Sequence, residues 1–360
     1  MARVIVRIFH LDPGSGAGPF VRLLADARRA NGLRRVDAFR AAGADEVELV
    51  AGPPDDTPFG RRLAELLAAT QPAGRGDGIV VLGSGALPLA TPRDHRSFVT
   101  AAGSRTRSAL ANNQYSADAI AISMPGALPP IPSMTADNAL PRWLAERAGW
   151  AVTDLRGRWR LAVDLDSPLD VELVRPGALP AAVAVPMRDR RAAIRRAFHD
   201  RKAEVLVTGR TSAATLAWLE RHTASRVRAL VEERGLRAAD PLAEVDPPAS
   251  RGRPPTSVLG LLLDRDGPAS LGQSLASLAG AALVDTRVLL AHRLGPDEGA
   301  WPSAEDRFAS DLLDWGAVSD PWLCELTRSA LMAPIPILLG GHTLVGPAAR
   351  LVAGRPPRAA

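Results

Sequence analysis

The residues best placed to do chemistry in the first half fall in a few short segments. His10-Leu-Asp-Pro-Gly-Ser-Gly-Ala-Gly18 sets Gly14, Gly16 and Gly18 at alternate positions ahead of an expected helix. Glycines let backbone N–H groups approach a phosphate, and the helix N-terminus that follows favours an anion. A flexible turn has the same composition. Asp164-Leu-Asp166-Ser-Pro-Leu-Asp170 puts two carboxylates two residues apart at an expected strand end. There one could reach a ligand while the other orients the loop. Equally, Asp166-Ser-Pro168 could cap and open a helix. Asn112-Asn113-Gln-Tyr115-Ser holds two amides, the only tyrosine and a hydroxyl. Such groups can read a base or sugar by directional hydrogen bonds, or form a polar turn. Asp137 and Asn138 suit an N-cap; with Arg142 they could also rim a crevice where the guanidinium pairs with phosphate or carboxylate.

In the second half, Gly209-Arg210-Thr211-Ser212 stands between an expected strand and helix as a short anion cradle. It lacks the length and the lysine of the G-x-x-x-x-G-K-[ST] loop. Glu232, Glu233, Asp264, Asp266 and Asp285 each follow a run that reads as an apolar strand, where α/β proteins place ligands. His292, seven residues beyond Asp285, and His342 are the histidines nearest such positions. Neither a zinc-ligand histidine spacing nor a G-x-S-x-G nucleophile elbow is present. Cys324, the single cysteine, excludes an internal disulfide, a thiolate zinc site and an iron–sulfur cluster.

The elements that must position these groups alternate strand with helix. Arg3–Phe9, Glu46–Val50, the wholly apolar Gly78–Leu82, Ala117–Ser123 and Trp159–Asp164 read as strands. Helices are expected over Pro19–Ala42, Pro58–Ala69, from Thr91-Pro92 and over Asp137–Arg147. Val205–Thr208, Arg226–Val231, Val258–Leu263 and Ala282–Val284 continue the strands, and Asp246–Thr256 reads as a loop or linker. The alternation predicts an α/β fold with a Rossmann-like, mostly parallel sheet, followed by a second α/β region. Arg175–Pro180 punctuates the first series, which gives domains at 1–180 and 181–360.

Three segments of the first half together resemble a known family. Thr57-Pro-Phe-Gly-Arg-Arg-Leu63 precedes a buried strand ending in Gly83-Ser84-Gly-Ala86-Leu-Pro-Leu-Ala-Thr-Pro92, and Leu161–Asp170 follows much later. Their order is similar to nucleotidyltransferases and A-type glycosyltransferases of the nucleotide-diphospho-sugar transferase fold. The closest likeness is to phospholactate and molybdenum-cofactor guanylyltransferases, over about residues 1–175. The resemblance implies nucleotidyl transfer from a nucleoside triphosphate to a phosphorylated small molecule. It also implies Mg²⁺ at Asp164 and Asp166, and nucleotide contacts from the glycine loop, Ser84 and the Asn112–Tyr115 segment. Ala86 stands where the family's Asp-x-Pro-Leu signature has its aspartate, and no lysine lies near the first loop. A noncatalytic nucleotide-binding or interaction protein and a glycosyltransferase using a nucleotide sugar are the alternatives. Arg210, Thr211, Asp264, Asp285 and His292 mark a third possibility, chemistry in the second half.

Composition narrows the classes further. The chain has 360 residues, 46% of them apolar, enough for a real core. No apolar run reaches membrane-spanning length and the N-terminus lacks a secretory h-region, so a cytoplasmic protein with no membrane partner is expected. The pI near 10.5 suggests a nucleic-acid ligand, but the net charge is only +5. Lys202 is the only lysine among 44 basic residues, and arginine raises the pI without a strong field at pH 7. The basic segment Met187–Lys202 lacks interleaved aromatics and reads as an amphipathic helix with a solvated face. Nucleic acid is therefore not an expected partner. Any phosphate charge must be met by arginine or metal.

Overall fold

β1 (Val4–Leu11) and β3 (Gly78–Gly83) are runs of β-branched and leucine residues buried along nearly their whole length, as the inner strands of a covered sheet must be. The computed structural model describes residues 2–53, 62, 65, 77–124, 139–234, 242 and 255–354. The helix expected over Pro58–Ala69, the pair Asp137 and Asn138, and most of Asp246–Thr256 lie outside these residues. Contacts divide the chain into two units. The first comprises 1–17, 25–164 and 236–252; the second comprises 18–24, 165–235 and 253–360.

The first unit carries a six-stranded sheet in the order β2-β1-β3-β5-β4-β6, with β2 at Glu46–Gly52, β4 at Ser108–Ala111, β5 at Ala119–Ile122 and β6 at Ala151–Asp154. Only β5 runs antiparallel to its neighbours. Side chains alternate across β3. Val80 and Leu82 enter one cluster with Val6, Ile8 and Phe39, while Ile79 and Val81 enter another with Ile122, Trp143 and Leu144. Phe39 belongs to α1 (Pro19–Ala41), and Trp143 and Leu144 to the short α3 (Leu140–Glu146). Between them in the chain, α2 (Pro92–Ala102) is opened by a capping box, Thr91 and Asp94 bonding each other's backbone N–H.

The second unit is built on an all-parallel sheet in the order β10-β9-β7-β8. Its strands are β7 (Glu204–Gly209), β8 (Arg226–Val231), β9 (Ala281–Asp285) and β10 (Ile337–Gly340). Its helices are α4 (Pro168–Val174), α5 (Ala181–Phe198), α6 (Ala213–His222), α7 (Val258–Asp266), α8 (Leu271–Ala276), α9 (Thr286–Leu294), α10 (Ala304–Asp311), α11 (Pro321–Met332), α12 (His342–Val345) and α13 (Ala349–Ala353). The α/β class, the mostly parallel first sheet and the second α/β region are thus as expected. Among the described residues no helix is long and apolar enough to cross a membrane.

Two expected strands are corrected. Val258–Leu263 is the helix α7: Ser257 caps it by accepting from the Gly260 N–H at 3.0 Å, and Leu259 and Leu263 are buried while Val258 and Leu261 are exposed. That is helical periodicity inside an apolar run, which length alone does not distinguish from a strand. Trp159–Ala162 is a 3₁₀ turn closed by the Leu161 N–H on the Arg158 carbonyl, and only Asp164 then pairs, in a single antiparallel bridge with Ala86. The division between units falls at Asp164–Leu165, earlier than the Arg175–Pro180 punctuation. On α5 the basic face is not simply solvated. Arg188 pairs with buried Glu172, and Arg190 and Arg191 donate to the carbonyls of Ile335 and Leu351.

Gly209 ends β7 at φ +120°, and a Cβ there would run into the Cβ of Asp285. Gly209→Ala is therefore expected to destabilise the second unit by about 2–4 kcal/mol, read as a lower urea midpoint. An unchanged midpoint would contradict this packing.

Candidate functional site

In an open α/β sheet ligands sit outside the carboxyl ends of the strands, where successive connections leave in opposite directions. In the first unit that point lies between β1 and β3, since β2 flanks one and β5 the other. β1 delivers His10 and Asp12 there, and β3 delivers Ser84. His10 is buried; its Nδ1 shares a 3.0 Å hydrogen bond with Ser84 Oγ, and its Nε2 lies 3.5 Å from Asp12 Oδ1. Burial lowers the His10 pKa, with Asp12 opposing and Arg29 and Arg28 reinforcing, so the imidazole is neutral at pH 7. Arg29 also holds Asp12 at 3.2 Å. Beyond Ser84, an isolated antiparallel bridge pairs Ala86 with Asp164.

Other residues expected at the nucleotide are engaged in holding the chain. Gly14 accepts from the Ala17 N–H in a turn through Gly16. Gly18 allows the Glu305 carboxylate to approach, and that carboxylate accepts from the N–H groups of Phe20 and Val21 at 2.9 and 3.0 Å. The N-terminus of α1 therefore meets a carboxylate of the protein. Asn112 is buried and donates to Asp118 Oδ2 and the Leu161 carbonyl, both at 3.0 Å. Its own carbonyl accepts from the Asp118 and Ala119 N–H groups. It fastens a turn and is not arranged to read a base. Asn113 closes its own turn on the Tyr115 N–H, and Tyr115 is exposed beneath the Arg156 guanidinium. Arg142 pairs with Glu146 at 3.0 Å one helical turn on.

Asp166 falls in the second unit, where the capping reading of its segment holds. Ser167 caps α4, and Asp170 Oδ2 accepts from Ser167 Oγ at 2.9 Å and the Asp166 N–H at 3.1 Å. Among the described residues no group of three or more His, Cys, Asp or Glu side chains is placed to hold a metal ion.

A cleft of about 310 Å³ opens beside the first-unit bridge, lined by Thr91, Arg93, Asp94, Arg158 and Arg160. In an antiparallel bridge the chain after Ala86 runs alongside the chain before Asp164, which is why these segments meet. Buried Asp94 accepts from Arg158 Nη1 at 2.9 Å and from the Thr91 hydroxyl at 2.7 Å. Burial pushes the Asp94 pKa up, but the Thr91 bonds and Arg158 together hold it below the usual carboxylate value.

In the second unit the corresponding point lies between β7 and β9. Arg210 grips Asp285 there, with Nε on Oδ2 at 2.6 Å and Nη2 on Oδ1 at 3.0 Å. Arg287 grips buried Asp311 through both oxygens at 2.5 and 2.6 Å. Burial raises the Asp285 carboxyl, yet Arg210, His342 and Arg287 bring it below its ordinary value. Thr211 is buried, its N–H donating to the Gly209 carbonyl. Asp264 and His292 do meet, at 2.9 Å, while His292 Nδ1 accepts from the Ser257 N–H. With both ring nitrogens engaged, His292 ties α9 to α7. Of the sequence candidates of this half, Arg210 thus pairs with Asp285 and Asp264 with His292.

His10 and Asp12 were not singled out from the sequence as chemical groups. The usable signal was a histidine and an aspartate ending the first buried strand, where the glycines drew attention instead.

No family model matches the sequence, and no curated protein matches it. Among solved structures the chain is similar to one described as a candidate nucleotide-diphospho-sugar transferase from Desulfovibrio desulfuricans G20. The likeness covers 43% of this chain and 80% of that one at 16% identity, with a TM-score of 0.34. A likeness this loose fixes neither activity nor ligand.

Asp170 gives the second unit a titratable signature. Burial, with Asp166 and Asp311 adding negative charge, pushes its pKa up to about 8. The folded state then keeps a proton that the unfolded chain has released, so this group lowers stability as pH rises from about 4 to 8. Asp170→Asn is expected to flatten that decline by at most about 1.4 kcal/mol per pH unit, measured by urea denaturation. Parallel pH profiles for the two proteins would contradict it.

Proposed function

We propose that the first unit binds a nucleotide at the carboxyl ends of β1 and β3 and supports nucleotidyl transfer to a phosphorylated small molecule. One observation carries this reading. The Ala86–Asp164 backbone bridge joins Asp164 to the segment that leaves β3 through Ser84, and Ser84 bonds His10 beside Asp12 at the end of β1, which supports a site there. In such a transfer a phosphate oxygen of the acceptor bonds to the α-phosphorus while the α–β anhydride bond breaks and pyrophosphate leaves. The chemistry needs positioning and charge relief more than proton transfer. Neutral His10 suits this role, because it holds Ser84 in place without adding charge.

Mg²⁺ can be held by a single carboxylate together with substrate phosphates and water. Asp164 fits that minimal set, and Ala86 contributes no second oxygen. When bound, the ion would draw charge from the phosphates. Asp166, assigned to the second unit with its Oδ2 4.0 Å from His342 Nδ1, is left out of this proposal. Glycosyl transfer from a nucleotide sugar would use the same crevice. The methyl side chain of Ala86 favours a second reading, a nucleotide-binding protein without catalysis.

Titration calorimetry with the four nucleoside triphosphates, with and without Mg²⁺, separates these readings. Binding of at least one triphosphate is expected to tighten with Mg²⁺ and to lose that gain in Asp164→Asn. Metal-independent binding, unchanged in Asp164→Asn, would establish the noncatalytic alternative. No binding of any triphosphate would overturn both.

A further inference from the structure

We infer that the cleft between the N-terminal turn of α2 and the 3₁₀ turn at Trp159–Ala162 is a subsite for a small phosphomonoester, held by Arg93, Arg158 and Arg160. The inference rests on the proposed transfer only for the subsite's purpose, seating the phosphorylated acceptor; the site itself stands on its own geometry.

Three arginines and one aspartate are among the residues that line the cleft. Asp94 spends its oxygens on the Thr91 hydroxyl and N–H and on Arg158, so it fixes Arg158 in place and neutralises one charge. No carboxylate among the described residues pairs with Arg93 or Arg160. Arg160 Nε is buried and has no hydrogen-bond acceptor among the described residues, so any ligand in the cleft would meet the other end of this guanidinium. The balance of two positive charges matches the charge of about −2 on a phosphomonoester at neutral pH. Guanidinium forks suit phosphate oxygens, and a chain with one lysine has no other cation to use. The volume of about 310 Å³ is room enough for a phosphate group and a short carbon skeleton.

The test titrates the full chain with glycerol 3-phosphate, using glycerol as the uncharged control. Arg160→Gln and Arg93→Gln disturb no ion pair, so they should fold normally by circular dichroism. Each is expected to weaken glycerol 3-phosphate binding about tenfold or more, and Arg158→Gln similarly if it folds. Arg105→Gln, an exposed arginine outside the cleft, is expected to leave affinity within about twofold, as a change of net charge alone should. Failure of glycerol 3-phosphate to bind, or equal weakening in Arg105→Gln, would overturn the subsite. Triphosphate titration of the same variants keeps the two ideas apart. Arginine-dependent phosphomonoester binding with no triphosphate binding supports the cleft and removes the nucleotidyl reading. Triphosphate binding with arginine-independent phosphomonoester binding does the reverse.

Discussion

The first unit depends on how the chain is turned after β3. Asn31, fully buried on α1, donates its amide N–H groups to the carbonyls of Ser84 and Ala86 at 2.8 and 2.9 Å. One turn further on, Arg35 donates to the Leu87 carbonyl at 2.8 Å. Leu87 itself sits at φ +57°, an uncommon conformation for a leucine that surrounding bonds must over-determine. Burial, with Arg34 nearby, pulls the Arg35 pKa down to about 10, which leaves it protonated at neutral pH. This clamp sets Ser84 against His10, Ala86 against Asp164, and the start of α2 against Arg158. A strand-end crevice and a cationic cleft both follow from it.

Charge in this protein is managed almost entirely by guanidinium. In the second unit that takes the form of closed bidentate pairs, Arg210 with Asp285 and Arg287 with Asp311, both aspartates being buried. Breaking one partner of such a pair strands a buried charge, which costs several kcal/mol and makes the pairs structural whatever else they do. The first unit also holds paired arginines, Arg29 with Asp12 and Arg142 with Glu146 among them, but at the cleft Arg158 alone is anchored, by Asp94, while Arg93 and Arg160 have no carboxylate of their own among the described residues. The proposed phosphate subsite rests on the unpaired two. That contrast is why the first unit is the better candidate for phosphate chemistry.

Much of the fold was legible because the signals were local. The apolar runs of β1, β3, β7 and β9, and the Thr91-Pro92 helix start, announce themselves by residue type. Ser108–Ala111 and Ala151–Asp154 escaped, because four-residue strands of small and polar side chains lack a period to read. The site was less legible, for a physical reason. Glycines at alternate positions, paired amides and closely spaced aspartates serve turns and caps as readily as ligands. Only tertiary partners decide, as the turn bonds of Asn112, the Glu305 carboxylate at α1 and the Ser167 cap show. The Ala86–Asp164 pairing and the arginine cleft join segments more than sixty residues apart, beyond the reach of any local pattern.

Phosphate-bearing ligands, on the proposals above, engage the first unit around the clamp formed by Asn31. Hydrogen–deuterium exchange of the full chain, with and without a saturating mixture of nucleoside triphosphate, Mg²⁺ and glycerol 3-phosphate, addresses it directly. Slowed exchange is expected, confined to residues 10–12, 83–94 and 158–164. Protection appearing instead at residues 209–212 and 285–287, with the first unit unchanged, would contradict it.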